Sequence, residues 1–372
     1  MTSQESPYHA LLSSGVIVVD KPQGVTSHDV VAAARKLLHT RKVGHAGTLD
    51  PMATGVLVIG FGQATRLLNY IVGLDKTYEA TIRFGQATDS DDADGQLLDV
   101  DSLQAPWVLP ISERADVVRN ITVPMLQELI NQHFIGNIEQ VPNSFSAIKV
   151  HGKRAYDLAR QGKEVALQAR PITISDFTVL SVGVTQSQGR DTIVDVRVRV
   201  TCSAGTYIRA LARDLGQQLG VGAHLVALRR TRVGQFCADD KRTFGASTAS
   251  REYVDKSGQT HTKQVVHITC TDEQLQRHVL PLKQAVEHAL PVLTVQAAQA
   301  QDLRFGRVLL RADMAEQLNN PPYTEHTSMV KHMDNTQATT AHIAAACTSQ
   351  ELVAIVRIGR RHIRPVAVFA HE

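Results

Sequence analysis

The sequence predicts an α+β fold, a mixed and largely antiparallel sheet carrying helices, with a small β-rich domain at the C-terminal end. Three observations carry this expectation. Residues 76–84 and 192–201 alternate apolar and polar side chains with the period of two that marks a half-buried strand. Residues 124–134 and 208–219 repeat apolar side chains at helical spacing. Strands and helices are mixed along the chain without regular alternation, as in α+β proteins.

The elements follow in order. Residues 15–20 read as a buried strand, and 21–24 as a turn. Ser27 is the expected helix cap, with Asp29 favourable in the first turn and Val30, Val31, Ala34, Leu37 and Leu38 on one face. A Gly- and Thr-rich loop fills 44–55. Residues 56–59 form a strand, and Leu67, Leu68 and Ile71 mark a short helix. On the strand at 76–84, Tyr78, Ala80, Ile82 and Phe84 share the apolar face. The helix at 124–134 rests on Leu126, Ile130 and Phe134. In the next strand Val194, Val196, Val198 and Val200 point inward. Gly205 precedes a helix with Ile208, Leu211, Ala212, Leu215 and Leu219 on its core side. Residues 223–236 read as a short helix and a strand. Residues 246–275 are polar and weakly periodic. An apolar stretch resumes at Leu290, and 352–357 with 363–369 suggest a hairpin. Residues 317–349, rich in Asn, Thr, His and Ala with a Pro-Pro step, read as a mobile insertion. The expected domains are 12–288, with an insertion at about 140–170, and 289–372.

The 372 residues allow roughly two or three domains. Hydrophobic residues make up 43% and charged residues 20%, the composition of an ordinary globular protein. Cys202, Cys237, Cys270 and Cys347 are far apart and form no CxxC pair, which points away from a disulfide framework or a zinc site and toward a reducing cytoplasm. The start, MTSQESPYHA, has neither a basic region nor an apolar run, so no signal peptide is expected. The apolar runs are too short to span a bilayer, and no membrane association is expected.

The net charge of +3 conceals local blocks. Arg35, Lys36, Arg41 and Lys42 occur without an acid over 33–48. Lys149, Lys153, Arg154, Arg160, Lys163 and Arg170 face only Asp157 and Glu164 over 149–170. Arg357, Arg360, Arg361 and Arg364 occur without an acid over 352–366. Such patches suit a protein that grips phosphates on one face; solvated faces of unrelated helices fit the charge pattern equally well. The acidic run Asp89-Ser-Asp-Asp-Ala-Asp-Gly95 lacks the Glu that completes a calcium loop and reads as a solvated turn, with a contact of Asp89 near the active site left open. Gly60-Phe-Gly62 is not a dinucleotide fingerprint, there is no GxxxxGK[ST], and the sixteen histidines show no ligand spacing.

The most informative segment is Gly44-His45-Ala-Gly-Thr-Leu-Asp50-Pro-Met-Ala-Thr-Gly55. Its glycines let backbone approach a ligand closely, and the proline holds Asp50 out of the helical region. An Asp-Pro step by itself is more often only a turn. The whole segment, however, resembles the catalytic motif of the TruB family of tRNA pseudouridine synthases. Further stretches resemble that family in the same order: Asp20-Lys21-Pro-Gln-Gly24-Val-Thr-Ser27, Lys76-Thr-Tyr78, Val141 to Ala147 with Gly152 to Arg160, Cys202 to Arg209, and Gly222 to Arg230. Ala46 stands where Thr or Gly is commoner, Met52 and Ala155 where Leu is; none removes a group the reaction needs. The likeness fades at 246–288 and 317–349, and from about 289 the chain is only weakly similar to a reduced PUA-type RNA-binding domain.

The resemblance implies a catalytic domain with an RNA-binding cleft across a mixed sheet, and isomerisation of the uridine at position 55 in the T-arm loop of tRNA. The base is detached from C1′ at N1, turned and rejoined through C5, so no cofactor or metal is needed. Asp50 would either attack the nucleotide or take a proton from the sugar; the sequence does not choose. Arg209 is implied as the cation that keeps Asp50 ionised, although periodicity alone fits a surface arginine as well. Tyr78, by periodicity a core tyrosine, is implied to stack on the uracil and to accept the C5 proton. Leu228 is implied to contact the other side of the base, and His45 to fill the space it leaves on flipping. Tyr207 belongs to the same binding set. Lys21, Arg66, Lys149, Lys153, Arg154 and Arg160 are expected to contact phosphates, which positions RNA rather than reads it. The partner is then a tRNA T-arm stem-loop, bound by a monomer without guide RNA. A non-catalytic tRNA-folding factor and a guide-dependent ribonucleoprotein subunit are the competing readings.

Overall fold

A computed structural model describes residues 13–100, 105–143, 149–150, 153–154, 167–188, 191–255, 257–318 and 342–371. The chain divides into two compact units, one from residues 1–74 with 232–372 and one from residues 75–231.

The first unit begins with β1 (Gly15–Lys21), α1 (Ser27–Leu37), β2 (Val43–His45), β3 (Thr54–Phe61) and α2 (Leu68–Val72). β1 pairs antiparallel with β3, Val18 opposite Val58. The run is apolar without alternation because both faces are covered. Ile17, Val19, Leu57 and Ile59 pack with Val30, Val31 and Ala34 of α1. Val16, Val18, Val56 and Val58 pack with Leu67, Leu68 and Ile71 on the other side. The cap of α1 is Thr26, not Ser27: the Thr26 hydroxyl accepts from the Asp29 amide while the Asp29 carboxylate accepts from the Thr26 amide. The Ser27 hydroxyl is engaged elsewhere, accepting from the Leu49 amide at 2.8 Å.

The second unit comprises β4 (Lys76–Phe84), α3 (Ile111–Arg119), α4 (Val123–His133), β5 (Gly136–Gln140), β6 (Lys149–Val150), β7 (Lys153–Arg154), β8 (Arg170–Val182), β9 (Gln186–Gln188), β10 (Asp191–Cys202), α5 (Ile208–Gln218) and β11 (Ala223–Val233), which ends at its border. The strand order is β11-β4-β10-β8-β5. β4, β10, β8 and β5 are successively antiparallel, with Tyr78 opposite Val200 and Ile82 opposite Val196. The alternation expected over 76–84 and 192–201 is therefore that of two neighbouring strands. Residues 223–233 form one strand rather than a helix and a strand. Ala, Leu and Arg favour helix on their own, but a place beside β4 supplies the pairing that overrides a weak propensity.

The first unit resumes with β12 (Phe236–Cys237), β13 (Phe244–Val254), β14 (Thr260–Ile268), α6 (Asp272–His278), α7 (Leu282–Glu287), β15 (Val292–Thr294), α8 (Ala297–Arg304), β16 (Leu309–Leu310), α9 (Ala315–Leu318), β17 (His342–Cys347), β18 (Leu352–Ile358) and β19 (His362–Val368). β13 joins β1 in parallel through Phe244 and Gly245, then pairs with β14 over nine residues. The weak periodicity near 246–268 follows from that ribbon, which is exposed on both faces over most of its length.

A five-stranded sheet has the order β15-β17-β18-β19-β16. The expected insertion at 317–349 ends in one of its central strands; residues 319–341 lie outside the described residues. Ala345, with Ile343 and Cys347, packs into the core that holds Val16 and Val56. Ala344 and Ala346 pack with Leu293, Leu303 and Val356 on the opposite face. An alanine run looks like loop composition, yet here its small side chains let one strand lie between two filled cores. Among the described residues no helix is long and apolar enough to cross a membrane. Ala345→Leu should overpack this layer and lower folding stability by about 1–3 kcal/mol. Urea denaturation measures it, and no loss would mean that the alanines face an open side.

Candidate active site

In the first unit the loop between β2 and β3 carries Asp50. Gly47 and Gly55 adopt φ of 97° and 104°, a left-handed backbone that a side chain would strain. Leu49, Met52 and Ala53 are buried while Asp50 is half-buried, so the loop is pinned on both sides of its carboxylate. The pins are specific. The Ser27 hydroxyl donates to the Leu49 carbonyl at 3.1 Å, and the Gly24 amide donates to the Pro51 carbonyl at 2.8 Å. Lys21 is fully buried, and its Nζ donates to the carbonyls of Pro22 (2.9 Å), Pro51 (3.3 Å) and Ala53 (2.7 Å). The expectation of a phosphate contact for Lys21 is thus overturned: its ammonium holds the Asp50 loop. A terminal strand lysine ahead of a turn looks solvent-facing in sequence, and only the fold shows carbonyls converging on it. His45 ends β2 half-buried, its ring edge-on to His28 with centroids 5.4 Å apart.

In the second unit Tyr78 lies on the buried face of β4 and Leu228 is buried on β11. Tyr207 precedes α5, where the Gln140 side-chain amide brackets it, accepting from its N–H at 2.9 Å and donating to its carbonyl at 3.0 Å. Arg209 in the first turn of α5 is not a surface residue; it is 5% exposed. Its Nη1 donates to the Ser90 carbonyl at 3.0 Å and lies 3.2 Å from the Asp92 carboxylate.

That contact corrects the reading of the acidic run as a solvated turn. Asp91 and Asp92 are buried, whereas Asp89 lies in the exposed part of the turn and accepts from the Gln96 amide at 2.8 Å. The Asp92 carboxylate also accepts from the Ser90 hydroxyl (2.6 Å) and the Asp94 amide (3.1 Å), so its lone pairs are well occupied. Asp91 pairs with Arg213 at 3.3 Å and accepts from the Asn143 side chain. Burial raises the Asp91 carboxyl to about 6 against the pull of Arg213, Asn143 and Arg209. Sequence reasoning missed Asp91, Asp92, Asn143 and Arg213. The available signal was the i, i+4 spacing of Arg209 and Arg213 on a helix otherwise apolar on that side, which calls for two acids.

The remaining cations divide. Arg66 is exposed, and its Nη1 donates to the Val368 carbonyl at 2.6 Å, so part of its guanidinium is engaged with β19. Lys149 and Lys153, with Arg154, sit on the two-stranded β6–β7 hairpin, Lys149 opposite Arg154. Their side chains, and the whole of Arg160, lie outside the described residues. Among the described residues no group of His, Cys, Asp and Glu is arranged to hold a metal ion.

Residues 35–208 match the N-terminal domain of the TruB family pseudouridylate synthases, and residues 209–287 match the tRNA pseudouridylate synthase B C-terminal domain. The chain is 46% identical to the tRNA pseudouridine synthase B of Bifidobacterium longum subsp. infantis over 344 residues, 80% of this chain and 89% of that protein. It is 45% identical to the protein of the same name from Thermobifida fusca over 296 residues, 79% of this chain and 86% of that one. Among solved structures, one described as a Cbf5-Nop10-Gar1 complex is similar with a TM-score of 0.55 and 25% identity, covering 99% of this chain and 87% of that chain.

Lys76, two residues before Tyr78, is buried near Arg230, and its pKa falls from 10.5 to about 8, chiefly by desolvation and then by Arg230. Between pH 8 and 10.5 the unfolded chain keeps a proton that the folded chain has released, so this group adds stability as pH rises through that window. Lys76→Met should be more stable than the parent near pH 7. Its advantage should shrink by up to about 1.4 kcal/mol per pH unit above pH 8. Urea unfolding of both proteins across pH 7–10 tests this; a pH-independent difference would mean that Lys76 is not desolvated.

Proposed function

The chain belongs to the TruB family of pseudouridine synthases, and on that premise we propose that it converts the uridine at position 55 in the T-arm loop of tRNA to pseudouridine without a guide RNA. The observation that carries this reading is the likeness to proteins named tRNA pseudouridine synthase B across 80% of the chain, with family matches over 35–208 and 209–287 that take in the Asp50 loop and the helix of Arg209. The solved neighbour is a multi-protein complex, but the named relatives at nearly twice its identity favour an enzyme of tRNA.

In this reading Asp50 is the reacting carboxylate. It attacks C1′ as the C1′–N1 bond breaks, or removes a proton from the sugar to give an eliminated intermediate. The detached uracil turns and C5 bonds to C1′, either as the C1′–O bond to Asp50 breaks or as the sugar regains the proton it lost; the C5 proton then leaves and N1 takes up a proton, so the product is an isomer. Tyr78 stacks on the base and accepts the C5 proton, Leu228 covers its other side, and Arg209 contributes positive charge. Extruding the uridine costs a few kcal/mol. An aromatic ring such as His45 or Tyr78 stacked on a base returns about 1–3 kcal/mol. Lys21 acts indirectly, by holding the Pro51 and Ala53 carbonyls beside Asp50.

The test is release of tritium from tRNA labelled at uridine C5, with no guide added. The expected result is one tritium per T-arm; absence of release would sink the reading. Asp50→Asn should bind tRNA with an affinity near that of the parent and release no tritium. Substantial activity in Asp50→Asn would mean that another group reacts. Lys21→Met should lower turnover tenfold or more while leaving the dependence of tRNA binding on salt unchanged. A phosphate contact would instead show as a shallower salt dependence with turnover preserved.

A further inference from the structure

Asp91 is a buried carboxylate that the chemistry above does not use. It sits at φ 59°, in the left-handed region, at the centre of the turn that also holds Asp92. Its carboxylate meets two donors from different elements, Arg213 of α5 at 3.3 Å and the Asn143 amide in the segment after β5. Each donor bonds elsewhere as well, Arg213 with its neighbour Asp214 at 2.8 Å among others. Arg213 Nη2 donates to the Val141 carbonyl at 2.7 Å, and Asn143 Nδ2 donates to the Ser90 carbonyl at 2.9 Å. The Ser90 carbonyl is the same acceptor that takes Arg209 Nη1 at 3.0 Å. Asp91 therefore joins the exit of β5 and the first turns of α5 to the oxygen against which Arg209 is set.

We propose that Asp91, with Arg213 and Asn143, is a positioning device that fixes the guanidinium of Arg209 for uridine isomerisation. This rests on the function proposed above. A purely stabilising role makes the opposite prediction. The carboxyl titrates at about 6 in the fold against 3.8 when free, so the folded chain holds the proton more tightly than the unfolded chain. The stability contributed by this group is therefore present at low pH and is lost as pH rises through about 6. At neutral pH ionised Asp91 is a net cost to folding. The ion pair of Asp91 with Arg213, which Asp214 also holds at 2.8 Å, requires that same ionised form. The groups that act on Asp91 are Arg213, Asn143 and Arg209, which favour its charge, and Asp214, which opposes it.

The experiment measures kcat and KM for tRNA together with urea unfolding, for the parent and Asp91→Asn. The expected outcome is a urea midpoint at pH 7.5 equal to or above that of the parent, kcat reduced tenfold or more, and KM changed less than threefold. In the parent, kcat should fall as pH drops through about 6, and that step should be missing from the residual activity of the variant. Arg213→Gln removes the other partner at a less buried position and should show the same loss in kcat if Asp91→Asn folds poorly. Unchanged kcat in either folded variant, or a kcat loss matched by an equal loss of folded protein in both, would overturn the proposal. A parent protein that releases no tritium would instead overturn the function on which the proposal rests.

Discussion

The ammonium of Lys21 lies wholly out of water, and the backbone just after Asp50 is arranged to meet it. An isolated charge in a protein interior costs several kcal/mol unless fixed dipoles or an opposite charge replace its hydration. Three carbonyls converging on one Nζ do this for Lys21, and the convergence dictates the path of residues 51–53. Arg209 repeats the solution in the second unit, with the Ser90 carbonyl and Asp92 as its partners. In both places a buried cation determines the shape of a loop, and the loop or the cation carries a group assigned to the reaction. The carboxylate proposed to react, Asp50, need not supply the order of its loop, because other residues hold it.

The surrounding sheets make such burial possible. β1 and β3 have apolar cores on both faces, so the end of β1 can deliver Lys21 into a closed environment at the Asp50 loop. In the same unit β17 is filled on both faces, and its three alanines keep that double packing within the volume available. A layer filled on both sides has little room to yield, which suits the placing of a reacting group proposed at Asp50.

Features with a period were legible in the sequence. The alternation of Tyr78, Ala80, Ile82 and Phe84 survives folding because those positions are buried while Glu79, Thr81 and Arg83 between them are not. The Asp50 loop was legible through motif likeness, and the glycines at 47 and 55 sit where the backbone needs positive φ. What could not be read were properties set by partners remote in sequence. Ala223 to Val233 carries helix-forming residues yet lies in the sheet beside β4. The alanines of β17 resemble linker composition until two cores close on them. Lys21 has an ordinary cation's place before a turn, and only tertiary structure brings carbonyls 30 and 32 residues away to it. Asp91 and Asp92 look like two more acids in a solvated run, because composition carries no record of the arginines opposite.

Those two adjacent acids illustrate how a single backbone choice divides labour. Side chains at i and i+4 of a helix lie on one face about one turn apart. Arg209 and Arg213 thus present two guanidinium groups in a row, and neighbouring residues in an ordinary turn would not both reach them. The left-handed conformation at Asp91 lets its carboxylate diverge from that of Asp92, so that each acid meets a different arginine. The environments then separate. Asp92 receives a hydroxyl, an amide and a guanidinium, while Asp91 has burial working against its ionisation and rests on Arg213 and Asn143. Asp92 can neutralise Arg209 by itself, so charge balance alone does not require a second buried acid beside it. What Asp91 adds is a mechanical link, through Asn143 and Arg213, between the strand exit at 141–143 and the carbonyl that orients Arg209. A costly, conformationally restrained carboxylate at that junction is what one expects where geometry matters more than stability.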